Sequence, residues 1–183
     1  MQLRNSVQSY GAIRMSLHWL TVALVVLAWF LGTFGDDLPR GSTSNAGMFV
    51  HVTAGLLIIA LLVVRLLWRV VDAPPPAETT PLGGWIEVAG KWTHLALYVL
   101  LAATPIIGIV LQFARGDALP VFGFTEIASP WIKDREFARS IKGIHEALAH
   151  ALVILALLHA SAALIHHWLW QDRTLKRMLP GTR

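Results

Sequence analysis

No cysteine occurs anywhere in these 183 residues. Its absence removes disulfides, iron–sulfur clusters, thiolate metal sites and the CxxCH motif that fixes haem covalently. Any cofactor must be held by histidine, methionine, carboxylates or packing. Charge is scarce too: Asp, Glu, Lys and Arg make up 14% of the chain, against roughly 25% in an ordinary soluble domain. So few charges could not cover a water-facing surface on a chain that is 55% hydrophobic. Lipid is the expected solvent. The formal net charge of +4 comes with no basic-aromatic stripe, so nucleic acid is not an expected partner. Internal repeats and low-complexity tracts are lacking as well.

What is present is four long apolar runs, at roughly 16–34, 48–71, 93–113 and 146–170. Each reaches the ~20 residues a helix needs to cross a ~30 Å hydrocarbon core. The runs are continuous rather than alternating, and only helices or closed barrels satisfy their backbone in lipid, so helices are predicted. The expected fold class is all-α, an integral membrane four-helix bundle forming a single domain over 1–183. A kink is expected where Pro105 follows Thr104 in the third run. The first run is too long for a signal-peptide core, and no small-x-small site precedes the loop DDLPRGSTS, so it is read as a retained helix.

Lys and Arg set the orientation. One side has Arg4 and Arg14, then Arg65, Arg69 and Lys91 around the second connection, then Arg173, Lys176, Arg177 and Arg183. The other has Arg40, and a long loop over 114–140 that mixes Arg115, Lys133, Arg135, Arg139 and Lys142 with acids. Both termini are therefore expected in the cytoplasm. The connection DAPPPAETTPLGG reads as a stiff cytoplasmic turn, and the 114–140 loop is long enough to cover or build a site. Most of Trp19, Trp29, Trp68, Trp92, Trp168 and Trp170 read as interfacial anchors.

The stretch 145–167, which opens just before the fourth run, carries five histidines, and imidazole is costly to leave unpaired in hydrocarbon. At about 100° per residue, His145 and His159 fall some 40° short of four full turns apart, on one face, about 21 Å along the axis. His166 and His167 bracket that face, and His150 points elsewhere. Partners follow from depth. His51 matches His145 near the outer face, and His18 matches His159 nearer the cytoplasm, with His94 a rival for the inner position. Two stacked imidazole pairs suit two bis-histidine b-type haems, built between facing helices of a bundle. Gly55, four residues after His51, and Ala160, Ala162 and Ala163 beside His159 leave room for a flat ring. Zinc is the weaker reading, since a closed zinc site gathers four ligands at one depth.

The segments IRMSLHWL, HVTAGLLIIALLVVRLLWR, GKWTHLALYVLL, PIIGIVLQFARG and IHEALAHALVILALLHASAALIHHWLWQDRTLKRMLP resemble the bacterial cytochrome b561 family, from Arg14 to Pro180. More distantly, the chain resembles the cytochrome b subunits of formate dehydrogenases and hydrogenases. The resemblance implies His18, His51, His145 and His159 as haem axial ligands, two haem b, and a multi-pass place in the bacterial inner membrane. It also implies ubiquinone at the cytoplasmic end near Ser16 and His166, with His94 a neighbour of the ligands or a haem-propionate contact. No role is assigned to His150.

The function expected on that basis is a superoxide oxidase, an enzyme passing electrons from periplasmic superoxide through two haems to ubiquinone. A positive mouth would speed arrival of a small anion. Lys142, one turn toward water from His145, is the first candidate, with Arg115 and the other loop cations. Their plain alternative is a solvated loop partly cancelled by Asp117, Asp134 and Glu136. His166 or His167 could relay a proton to the quinone or simply anchor the interface, and Ser16 could donate a hydrogen bond or cap its helix. A second reading keeps the haems but serves a periplasmic redox partner protein, as the electron-carrying anchor of a dehydrogenase or hydrogenase. A third is a haem-free metal or proton transporter.

Overall fold

The computed structural model describes residues 2–6, 9–37, 39, 41–76, 78 and 83–179. Arg40, Arg183 and positions 77 and 79–82 of the Pro-rich turn lie outside the described residues. Four helices dominate: α1 (Ala12–Phe34), α2 (Ser42–Val71), α3 (Gly84–Ala114) and α4 (Arg135–Trp168). All four are long and apolar enough to cross a membrane.

Their ends are set by chemistry that hydropathy does not report. α4 begins at Arg135, well before its apolar run, because the Asp134 carboxylate accepts the backbone N–H groups of Glu136 and Phe137, each at 3.0 Å. An N-cap of this kind stabilises a helix by about 1 kcal/mol. α3 starts at Gly84, also ahead of its apolar run but with no side-chain cap, and continues through the buried Pro105.

α1 packs along α2, and α3 along α4, with the two pairs joined through α2–α3 and a thinner α1–α4 contact. Exposure is inverted relative to a water-soluble bundle. Val26, Phe30, Leu67, Val99 and Leu157 point outward and are exposed, which suits a surface wetted by acyl chains. Ile58, Leu62, Leu101 and Leu152 form the buried cluster at mid-bundle. Leu152 lies midway in sequence between His145 and His159, and Leu101 midway between His94 and Gly108. The cluster is therefore an apolar partition between two histidine levels.

At one end, α3 leads into a hairpin of β1 (Leu119–Val121) and antiparallel β2 (Thr125–Ile127). Phe122 (φ 53°) and Gly123 (φ 75°) make its turn, closed by the Phe124 N–H donating to the Val121 carbonyl at 3.0 Å. Two successive left-handed residues match the twist of a hairpin. A Cβ at Gly123 would lie 3.4 Å from the Phe49 ring, so the hairpin rests on the start of α2. The opposite end gathers residues 2–6 and 169–179. There the Asp72 carboxylate accepts from the Asn5 backbone N–H (3.0 Å) and the Trp68 indole (3.2 Å).

Candidate functional site

At the hairpin end, His51 of α2 and His145 of α4 face each other with ring centroids 6.0 Å apart and planes at 80°. Metal–imidazole bonds run about 2.0 Å, so two trans imidazoles on one metal hold their centroids about 6 Å apart. The spacing fits an axial pair. Each ring is oriented by a neighbouring helix: His51 Nδ1 donates to the Ala28 carbonyl of α1 at 2.8 Å, and His145 Nδ1 to the Thr104 carbonyl of α3 at 3.0 Å. With Nδ1 used in this way, Nε2 is the nitrogen left available to a metal. A glycine stands one turn beyond each accepting carbonyl. A Cβ at Gly32 would lie 3.0 Å from His51 Cε1, and a Cβ at Gly108 the same 3.0 Å from His145 Cε1. The same device thus operates twice, once in each helix pair.

Both histidines line a cavity of about 430 Å³, walled by Gly55, Gly108, Pro105 and Gln112 and reaching Arg115 and Lys142 at its mouth. That size is ordinary for a bound cofactor, and the walls are mainly apolar, as a porphyrin face requires. Thr104 Oγ1 is buried beside it without a partner in the protein. Gly55 lines the cavity as expected of a small residue, with Pro105 Cβ as its neighbour at 3.7 Å. Among the described residues, no three His, Asp or Glu side chains converge as a cage for a metal ion.

A second recess of about 370 Å³ adjoins the mouth and is lined by Arg115, Lys133, Asp134, Arg135, Arg139 and Lys142. All five cations read from the loop therefore meet in one place. The single carboxylate among them, Asp134, is committed to capping α4. Lys142 carries its own counter-charge, since its Nζ lies 3.4 Å from Glu146 with both side chains about half exposed. Arg115 is half-buried and caps the end of α3 through its backbone.

At the other level the ring facing His159 is His94, with centroids 5.2 Å apart and planes at 65°. His18 is within electrostatic range of both and of Arg65. Depth alone left His18 and His94 as rivals, and the bundle places both beside His159. Ala160 and Ala162 are exposed rather than turned toward this site. Arg65 is held by α1, donating to the Leu17 carbonyl at 2.8 Å and to Thr21 Oγ1 at 3.3 Å.

Beyond α4 the chain reverses through Gln171, a left-handed residue (φ 52°), and returns across the terminal end. His166, half-buried, donates through Nδ1 to the Asp172 carboxylate in a short contact, with Thr174 Oγ1 at 3.4 Å and the Trp170 ring edge-on at 4.5 Å. Burial raises the Asp172 carboxyl, but hydrogen bonds from His166 and Thr174 outweigh it and hold the group below its ordinary range. Ser16 is exposed on α1 and shares no hydrogen bond with His166.

Several residues escaped a reading by sequence. Gly32 and Gly108 are visible as glycines inside apolar helices, which is the only sign they give. Three of the tryptophans are engaged within the fold: Trp19 donates to the Met178 carbonyl (2.8 Å), Trp29 to His150 Nδ1 (3.1 Å) and Trp68 to Asp72. His150 lines the hairpin-end cavity, and His167 Nδ1 is buried without a partner.

Comparison with known proteins completes the picture. The profile of the family described as prokaryotic cytochrome b561 matches residues 9–181. The chain is 33% identical over 180 residues to "Cytochrome b561 homolog 2" of Escherichia coli K12, covering 98% of this chain and 95% of that one. It is 32% identical to the "Probable superoxide oxidase CybB" of Yersinia pestis, covering 96% and 98%. With "Cytochrome b561 homolog 1" of Escherichia coli K12 it shares 31% identity, covering 93% and 97%. The chain belongs to the prokaryotic cytochrome b561 family, multi-pass electron-transfer proteins of the inner membrane whose cofactor is b-type haem.

Proposed function

We propose that this protein is a superoxide:ubiquinone oxidoreductase that binds two b haems, with both termini in the cytoplasm. The observation that carries the reading is the His51–His145 pair, set 6.0 Å apart across a cavity whose mouth opens beside a five-cation recess. Haem, when bound, supplies a reversible one-electron iron centre at each histidine level.

The chain's residues do the rest. His51 and His145 would hold the outer haem, their rings oriented by the Ala28 and Thr104 carbonyls. His18 and His159 hold the inner one. The 5.2 Å spacing of His94 and His159 is shorter than the about 6 Å of two trans ligands on one metal, and suits a ring contact instead. His94 then packs against the ligand. Arg115, Lys133, Arg135, Arg139 and Lys142 attract superoxide to the outer mouth, where field lines from a recess with five cations and one carboxylate concentrate a small anion. Electrons leave at the terminal end to ubiquinone, bound near His166 and Ser16. The positive-inside distribution, with Arg14, Arg69, Lys91, Arg173 and Arg177 at that end, supports a cytoplasmic orientation.

The test is direct. Protein purified in detergent is assayed for haem per chain, mixed oxidised with superoxide, then given a short-chain ubiquinone. The reading expects two haems, prompt rise of the reduced b-type band and formation of quinol. A band unmoved by superoxide yet reoxidised by quinone after chemical reduction would instead support the electron-carrying anchor for a periplasmic partner. A colourless preparation would support the haem-free transporter.

A further inference from the structure

The tail after α4 does more than end the chain. Residues 169–179 are strapped down at two places: the Trp19 indole donates to the Met178 carbonyl at 2.8 Å, and Arg177 pairs with Glu78 and donates to the Pro76 carbonyl, each at 2.7 Å. Trp19 adjoins His18, so the strap crosses the inner histidine level. Within this held segment, Asp172 accepts two hydrogen bonds: Oδ2 from His166 Nδ1, and Oδ1 from the Thr174 backbone N–H at 2.8 Å. The Asp172 backbone N–H returns a bond to the His166 carbonyl at 3.1 Å. Trp170 closes the His166 ring from one side. Among the described residues no other ionisable side chain bonds to His166, and its Nε2 makes no hydrogen bond.

We propose that Asp172 is a positioning residue that sets His166 as the proton donor to the quinone oxygen, an inference that rests on the quinone reading above. Reduction of one quinone takes two electrons, delivered singly from two superoxide ions released as dioxygen, and two protons. In the proton step the Nε2–H bond of doubly protonated His166 breaks as a quinone O–H bond forms. The ring is left neutral with its Nδ1–H still on Asp172, and water at the terminal end restores the Nε2 proton. The Asp172 carboxylate at Nδ1 orients the ring and leaves Nε2 as the nitrogen that faces outward. Buried carboxylate–imidazole pairs act in this way because the carboxylate orients the ring and stabilises its charged form without itself taking the proton.

The experiment uses haem-loaded protein in detergent and ubiquinone-1. Haem content and the rate of reduction by superoxide are read first, then kcat and KM for quinone. In Asp172→Asn, which keeps the shape and a hydrogen-bond acceptor but not the charge, kcat for quinone should fall about tenfold to a hundredfold. KM should stay within about twofold, with superoxide reduction unchanged, and Asp172→Glu should recover part of the loss. Wild-type kcat in Asp172→Asn, alongside a loss in His166→Gln, would overturn the role of Asp172 while leaving the quinone site intact. Wild-type behaviour in His166→Gln would remove the quinone from this site altogether. A raised KM with kcat preserved in Asp172→Asn, not relieved by Glu, would make Asp172 a tether for the tail and overturn the proposal.

Discussion

His51 and His145 sit on helices of different pairs, yet each is held by the same arrangement: a backbone carbonyl on the adjoining helix takes Nδ1–H, and a glycine one turn later makes room for the ring. Ala28 and Gly32 do this for His51, and Thr104 and Gly108 for His145. Where an imidazole binds a metal, orientation by its second nitrogen is worth roughly 10–100-fold in affinity. For both rings that orientation is supplied by backbone, which no side-chain substitution can remove directly.

The glycines are the accessible handle. An alanine at Gly108 puts Cβ 3.0 Å from His145 Cε1, so the ring or the helix must give by a few tenths of an ångström. Overpacking of this sort costs about 1–3 kcal/mol, so Gly108→Ala and Gly32→Ala should each weaken retention of the outer haem about tenfold. Gly55→Ala, whose Cβ meets only Pro105 Cβ at 3.7 Å, should bind normally. Haem per chain after detergent washing checks all three.

At the inner level, His18→Ala should lose one haem of two, while His94→Ala should keep both and shift the midpoint potential of the inner one. Redox titration of each variant reads the difference. Loss of a haem in His94→Ala with both kept in His18→Ala would reverse the assignment.

Steering is expected to be unequal among the cations. Lys142 is offset by Glu146 at 3.4 Å, whereas Arg115 is half-buried at the cavity mouth. Arg115→Ala should therefore slow superoxide-driven reduction by about tenfold at low ionic strength, Lys142→Ala by less, and Glu146→Gln should accelerate it. All three effects should fade toward 1 M salt, where the Debye length is about 3 Å. Stopped-flow traces at several salt concentrations provide the check.

Much of this was legible in the residues themselves. Lipid demands length and apolarity, so the four helices announce themselves, and a fixed rise and rotation per residue align His145 with His159 and bring His51 opposite His145. Other features are invisible at that level. Gly32 and Gly108 matter only because of how closely two helices approach, and depth cannot tell His18 from His94. The start of α4 is set by the Asp134 cap, and both α3 and α4 begin before their apolar runs, so hydropathy places them late. Asp172 reaches His166 only because the backbone reverses at Gln171, a turn of non-glycine left-handed geometry that composition does not signal.

The tail should also respond to acid with a defined sign. The Asp172 carboxyl is depressed below its ordinary value, so its contribution to docking is fully present above the unfolded pKa near 3.8 and is lost as pH falls through the folded one. Because the chain has no cysteine, Arg173→Cys accepts a single spin label. Its spectrum should stay immobilised from about pH 8 to 5 and loosen only below about 4. In Asp172→Asn that acid transition should disappear.

The most direct measurement is made on His145→Ala. Pyridine haemochrome counting of the purified variant, with superoxide mixing by stopped flow, should find one haem in place of two and no prompt reduction by superoxide. His51→Ala should lose the same haem. Retention of two haems and an undiminished superoxide response in His145→Ala would contradict the account at its base.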